Sequence, residues 1–217
     1  SGFEKLILNI PHRYNRWSNF KIPYHLINEI DDKRFVFNEC NDYGPLTKLL
    51  PSLSLIPENS ITIIADDMCY KLFSFKHIAE LQNKFLHKAF SFYVYPFKNN
   101  KSFGESNVFV PQGADLISIY SKNLSDFPKW FEQFKQKLNI KHYFDSPCFF
   151  VDDQVIGWYL QVHGIKLEQV DRKHINIYIK NCAISNESDN LNRQTGKNSR
   201  ENTMNQCYTQ LNQYYPI

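Results

Sequence analysis

Ser60-Ile61-Thr62-Ile63-Ile64-Ala65-Asp66-Asp67-Met68 is the stretch on which the reading of this chain turns. The run 60–65 is apolar on both faces of an extended chain, the pattern of a strand covered on both sides, which suits a central parallel position. Two carboxylates close it. In open α/β sheets ligands bind outside the carboxyl ends of the strands. Neighbouring residues on a strand point to opposite faces, so Asp66 and Asp67 serve one site only if the strand has ended and the chain is turning. Carboxylate oxygens in that place suit a hard cation such as Mg2+ or Mn2+. The same pair also suits an Asx turn or a helix N-cap, and alone it reads more readily that way.

Outward from this strand the pattern alternates. Residues 5–10 and 34–40 read as strands, and Asp42-Tyr43-Gly44-Pro45 as a turn. Leu46, Leu49, Leu50 and Leu53 follow at helical spacing, limited by Pro51. Residues 74–88 predict a helix with Ile78, Leu81 and Phe85 on one stripe. Residues 90–97 read as an aromatic-rich strand, and 108–120 as one or two strands broken at Gln112-Gly113. Helices are expected over 128–138, carrying Trp130, Phe131 and Phe134, and over 153–163, closed by Gly164. Late strands are expected at 166–170 and 175–179, a polar loop at 186–198 and a helix at 200–214. This order predicts an α/β fold with a mainly parallel central sheet flanked by helices. It fits a single domain over 1–217, with Ser1-Gly2 read as an expression remnant.

Composition narrows the function. The 217 residues are 42% apolar and 16% aromatic, enough for a substantial core. Lys and Arg number 25 against 22 Asp and Glu, a net charge of +3, which does not describe a dedicated nucleic-acid binder. Apolar runs such as 61–65 are far too short to cross a bilayer, and no membrane segment is expected. The five cysteines form an odd set with no CxxC spacing. Free thiols in a reducing compartment, hence the cytoplasm, are the simplest expectation.

Other segments could carry chemistry. Asp152-Asp153 opens a helix directly after the apolar run 148–151. An acid there is an N-cap by default, and it can also present a general base into a cleft. In 41–48, Gly44 frees the backbone to approach a ligand and Lys48 lies one turn on; alternatively this is a plain turn with a solvated lysine. Arg13 and Arg16 follow the first strand, where two cations can face a diphosphate or simply occupy a surface loop. Pro111-Gln112-Gly113-Ala114-Asp115 is a small-residue break suited to a bulge or to close ligand approach. The seven histidines show no HxxxH or HExxH pattern.

Taken in order, these pieces resemble the GT-A class of glycosyltransferases, and within it a family of small domains found in bacteria and large DNA viruses, chlorella viruses included. The segments that carry the resemblance are 6–16, 42–48, Asp66-Asp67 with Tyr70, and 152–160 with His163-Gly164-Ile165. They span nearly the whole chain. The resemblance implies a GT-A (nucleotide-diphospho-sugar transferase) domain that moves a sugar from a nucleotide-sugar donor to a glycan or protein-linked acceptor. The donor it favours is a UDP-sugar, UDP-glucose first, and the cofactor is Mn2+ or Mg2+. By resemblance Asp67 is the metal-binding acid of a DxD-like motif, and Asp66 is its middle residue beside the ribose. Ala65 stands where the first acid belongs, a departure from the family pattern. Arg13, Asp42 and Lys48 match donor-contacting regions, and Gln112-Gly113 matches the strand bordering the sugar. Asp153, with Asp152 beside it, matches the catalytic base of inverting enzymes. For a viral chain the compartment would be the host cytoplasm. Two alternatives remain beside this one: a nucleotidyltransferase, and a catalytically silent nucleotide-sugar-binding module.

Overall fold

Strand β1 (Leu6–Pro11) runs parallel to β2 (Phe35–Cys40), with Leu6 opposite Phe35 and Pro11 opposite Cys40. Between them lies the short helix α1 (Tyr24–Asn28). This computed structural model describes residues 3–15, 21–22, 24–66, 70, 72–96, 108–112, 115–139, 142–171, 173 and 197–217. Asp67, Gly113, Arg16, Cys69, Cys182 and the strand expected at 175–179 lie outside the described residues.

The remaining strands are β3 (Ile61–Ile64), β4 (Lys88–Ser91), β5 (Val94–Pro96), β6 (Phe109–Pro111), β7 (Ile117–Tyr120) and β8 (Lys166–Gln169). Four of them form one sheet in the order β3-β7-β4-β8, and β5 pairs with β6. The sheet is mixed: β7 is antiparallel to both β3 and β4, while β4 and β8 are parallel. This corrects the expectation of a mainly parallel sheet with β3 at its centre, since β3 stands at the end of that order. Parallel neighbours need a long crossover, usually helical. Among the described residues no helix separates β4 from β7, so β7 enters against its neighbours. The two-faced apolarity of β3 has another cause. Ile64 joins the main core, whereas Ile63 packs on a smaller cluster of Ile78, Phe90, Phe92, Leu116 and Val170.

Helix α2 (Leu72–Lys84) buries Ser74, Ile78 and Gln82, a stripe at four-residue spacing. It ends before the predicted residue 88 because the buried Gln82 amide donates to the carbonyls of Phe85 and Lys88, turning the chain into β4. Phe85 is thereby left exposed. The leucines at 46–53 form two short 3-10 turns, Leu46–Lys48 and Leu50–Ser54, and no continuous helix. Helix α3 (Phe127–Leu138) buries Phe127, Trp130, Phe131 and Phe134, the periodicity read from sequence, and ends at left-handed Asn139. Helix α4 (Asp152–Val162) buries residues along almost its whole length. The C-terminal helix α5 (Lys197–Tyr214) takes in residues 197–198, which were expected in a loop.

Cys148 and Cys207 form a disulfide, which corrects the expectation of free thiols throughout. Odd count and absent CxxC spacing say nothing about two cysteines that the fold brings together from distant segments. Among the described residues no helix is long and apolar enough to cross a membrane.

Gly157 lets α4 lie close on β6: a Cβ there would meet the Phe109 carbonyl oxygen at 2.8 Å. Alanine at an exposed helix position is favoured over glycine by roughly 1 kcal/mol. Here the backbone of β6 must shift, so Gly157→Ala is expected to destabilise by about 1–3 kcal/mol, as overpacking does. A urea midpoint at or above that of the native chain would show that the helix and strand separate freely.

Candidate functional site

The turn after β2 presents one lysine to the interior. Asp42 Oδ1 accepts from Gly44 N at 2.8 Å, and Thr47 Oγ1 accepts from Tyr43 N at 2.8 Å. Gly44 has φ +61°, and a Cβ there would run into the Phe149 carbonyl. The loop is therefore seated on the turn Pro147–Phe150, which leads into α4. Leu46 and Leu49 on either side of Lys48 are fully buried, which fixes its backbone.

Lys48 Nζ lies 2.6 Å from Asp66 Oδ1 and 2.9 Å from Asp152 Oδ2. The lysine side chain is 15% exposed and that of Asp152 8%. The Asp152 oxygen is buried, and the Lys48 ammonium reaches it both as counter-charge and as hydrogen-bond donor. Burial pulls the lysine pKa down, but Asp152, Asp66 and Asp153 more than offset this and hold it above its ordinary value. The ammonium therefore stays charged, and Asp66 and Asp152 share one cation, with the charge of Asp153 nearby.

Asp152 and Asp153 occupy the first turn of α4, whose N-cap is Val151 without a side-chain capping bond. Neither acid is the cap that a helix start suggests, although both gain from the positive end of the helix dipole. On the other side of Lys48, the Asp66 amide donates to Tyr70 Oη at 3.4 Å. Burial raises the Tyr70 pKa and the Asp66 amide opposes this; the charges of Asp66 and Asp115 raise it further, against Lys48. Asp115, only 2% exposed, thus belongs to the same electrostatic cluster. Its amide donates to the Gln112 carbonyl at 3.0 Å, and buried Leu116 follows it at φ 60°. Left-handed backbone at a bulky residue is costly and marks a constrained corner. Asp115 closes the small-residue break 111–115 read from sequence, which gave the acid itself no role.

The described site therefore joins Lys48, Asp66, Tyr70, Asp115, Asp152 and Asp153 from four chain segments. Gln112 is tied to it through the Asp115 amide. Arg13 and Asp42 stand elsewhere, lining a cavity of about 560 Å³ with His12, Tyr43, Lys135 and Phe144. Lys48 does not line that cavity. Asp42 is occupied there, accepting from Asn15 N at 2.7 Å and from Asn15 Nδ2 at 3.2 Å while holding Gly44.

The donor chemistry of the cluster fits a hard cation: every acidic group is a carboxylate, and acids outnumber the one lysine. Among the described residues no three acids, cysteines or histidines form a metal cage. Mg2+ in particular is commonly held by one or two carboxylates together with substrate phosphates, which matches a site of this composition.

No family model matches the chain, and no curated protein matches it. Among solved structures it is similar to 2-C-methyl-D-erythritol 4-phosphate cytidylyltransferase of Francisella tularensis, with TM-score 0.46 and 13% identity over 88% of this chain and 79% of that one.

Proposed function

We propose that the chain is a glycosyltransferase that moves a sugar from a nucleotide-sugar donor, UDP-linked and with UDP-glucose favoured, to a glycan or protein-linked acceptor with inversion. The observation that supports this is the Lys48 bridge. Asp66, at the end of β3, and Asp152, at the start of α4, share one largely buried ammonium, and Asp153 adds its charge nearby. Donor-side and acceptor-side acids separated by one fixed cation suit a displacement in which negative charge builds at a leaving diphosphate.

Asp153 is the proposed base, with Asp152 beside it held by Lys48. Asp153 takes the proton of the acceptor hydroxyl as that oxygen bonds to the anomeric carbon. The bond from carbon to the diphosphate oxygen breaks, and its electron pair leaves with the nucleotide. The sugar passes through an oxocarbenium-like state, as in glycosidic chemistry generally. Mn2+ or Mg2+, held through Asp67 with Asp66 beside it, supplies Lewis-acid neutralisation of the diphosphate when bound. The cavity at the carboxyl ends of β1 and β2 takes the nucleotide end of the donor, with Asp42 shaping the loop and Arg13 meeting the phosphates as they extend toward the acids at 66–67; Gln112-Gly113 borders the sugar.

A thermal-shift screen of nucleotide sugars, UDP and nucleoside triphosphates, each with and without Mn2+, tests this reading. A shift requiring both UDP and metal supports it. A shift with triphosphates alone returns the nucleotidyltransferase. Binding of UDP-sugars without turnover in any acceptor mixture returns the silent module, which the missing acid at Ala65 favours.

Arg13 gives a narrower check. Arg13→Ala is expected to weaken UDP binding about tenfold, the loss of one charge-assisted phosphate contact, while leaving uridine binding unchanged. Equal losses for the two ligands would show that the guanidinium does not reach the phosphates.

A further inference from the structure

Helix α5 meets the body of the protein along a narrow stripe. Cys207 and Leu211 are fully buried, with Met204, Tyr208 and Tyr215 packed beside them, and the rest of the helix is largely polar. A polar helix gains most of its stability from the contacts its inner face makes. Three specific links fasten it. Trp158 Nε1 donates to the Tyr215 carbonyl at 3.0 Å, Ser146 Oγ donates to Gln210 Oε1 at 2.8 Å, and Cys148 is disulfide-bonded to Cys207.

Two of those links land on residues 146–148, just before the acid pair. The Cys148 segment is itself tightly held. Ser146 Oγ accepts from Cys148 N at 3.1 Å, and the Cys148 carbonyl accepts from Tyr143 Oη at 3.0 Å and from Val151 N at 3.3 Å. Val151 is the N-cap of α4 and has no side-chain capping bond of its own. Where Cys148 sits therefore decides where Val151, Asp152 and Asp153 sit.

We infer that the Cys148–Cys207 disulfide is a positioning staple for Asp152 and Asp153, so that the site is correctly assembled only in the oxidised chain. Reduction by a dithiol breaks the S–S bond, puts one hydrogen on each sulfur and closes the reductant into its own disulfide, a balanced two-electron exchange. Helix α5 then keeps its apolar stripe but loses its covalent hold on the turn before α4. Cys40 does not compete for the pair. Its thiol is pushed up to about 11 by burial and by Asp42, and a protonated thiol is a poor nucleophile in exchange. A disulfide of this kind persists in oxidising compartments, so the staple places the working chain there, and the cytoplasmic expectation loses the free thiols on which it rested.

The activity arm of the test rests on the proposed transfer reaction; the exchange arm does not. Non-reducing peptide mapping of the full chain must first show the Cys148–Cys207 link, and its absence overturns the inference. Amide hydrogen exchange is then compared in the oxidised chain, the chain reduced with dithiothreitol, and Cys148→Ala/Cys207→Ala. Protection over 147–153 is expected to fall about tenfold or more on reduction, as local opening does, while β3 and β7 keep theirs. Re-oxidation restores it, and the double variant shows the same local loss without responding to dithiothreitol. Where transfer is measurable, kcat falls by about a hundredfold, the scale of a misplacement near 1 Å, with the donor KM unchanged. Unchanged protection over 147–153, or an even loss across β3 and β7, overturns the inference; the even loss marks a purely global brace. Should the double variant fail to fold, reduction of the native chain still decides. Should no form transfer sugar while protection over 147–153 responds to reduction, the proposed reaction fails and the staple stands.

Discussion

Lys48→Met is expected to cost about 3–5 kcal/mol of folding stability, the range for removing one partner of a buried ion pair. The cost is mainly that of leaving Asp152, 8% exposed, without the ammonium 2.9 Å away; Asp66, 2.6 Å from the same ammonium and 33% exposed, is partly hydrated and adds less. A surface pair would cost about 1 kcal/mol or less, so the size of the effect separates the two cases. Equilibrium urea unfolding measures it. Lys48→Met/Asp152→Asn is expected to recover part of the loss, because one uncompensated charge goes with the second substitution. A single-variant cost below about 1 kcal/mol, with no recovery in the double, would mean that water reaches the cluster. The pH dependence follows from the direction of the lysine shift. The folded pKa is raised above the unfolded one, so the contribution of Lys48 is fully present below the unfolded pKa. It is lost only as pH rises through the folded value, on the strongly alkaline side. Between neutral pH and about 9 the native chain should therefore show no loss of stability from this group.

Asp153→Asn is the larger test of chemistry. An amide keeps the shape of the residue and much of its polar contact but cannot take a proton. Loss of a general base typically lowers the rate by about 10²–10⁴-fold. The helix should survive, because Asp153 lies inside its first turn, Val151 being the N-cap, and the amide keeps the size and polarity of the carboxylate. Removing one negative charge from its first turn costs about 0.3–1 kcal/mol. The deciding measurement is transfer rate and UDP affinity on the same Asp153→Asn protein, with affinity expected to hold while rate falls. Normal turnover would move the base role to Asp152. That outcome would be informative in its own right, because Asp152 is buried against Lys48 and a proton arriving there would have to disturb the bridge.

Much of the local structure was legible in the sequence. The apolar runs at 5–10, 34–40 and 60–65 became β1, β2 and β3, and Trp130, Phe131 and Phe134 of the helix expected at 128–138 became, with Phe127, the buried face of α3. The acids at 66 and at 152–153 could also be placed, at a strand end and a helix start, because each follows an apolar run that announces its own boundary. These features depend on residues a few positions apart, and period and turn chemistry record them directly.

What lay between segments was not written there. The apolar run of β3 suggested a central parallel strand, yet two separate clusters cover its faces and its ladder partner β7 is antiparallel. No spacing in the sequence shows that Lys48 lies between Asp66 and Asp152, or that Arg13 and Asp42 line a cavity that Lys48 does not. Asp115 joined the cluster through a backbone corner at Leu116 that no spacing rule marks. Cys148 and Cys207 met only because α5 folds back on the turn before α4. Local pattern fixes which face of an element seeks burial. Which other element supplies that burial, and so which charges and sulfurs become neighbours, is settled by the packing of the whole chain, where one lysine can satisfy acids from two distant segments at once.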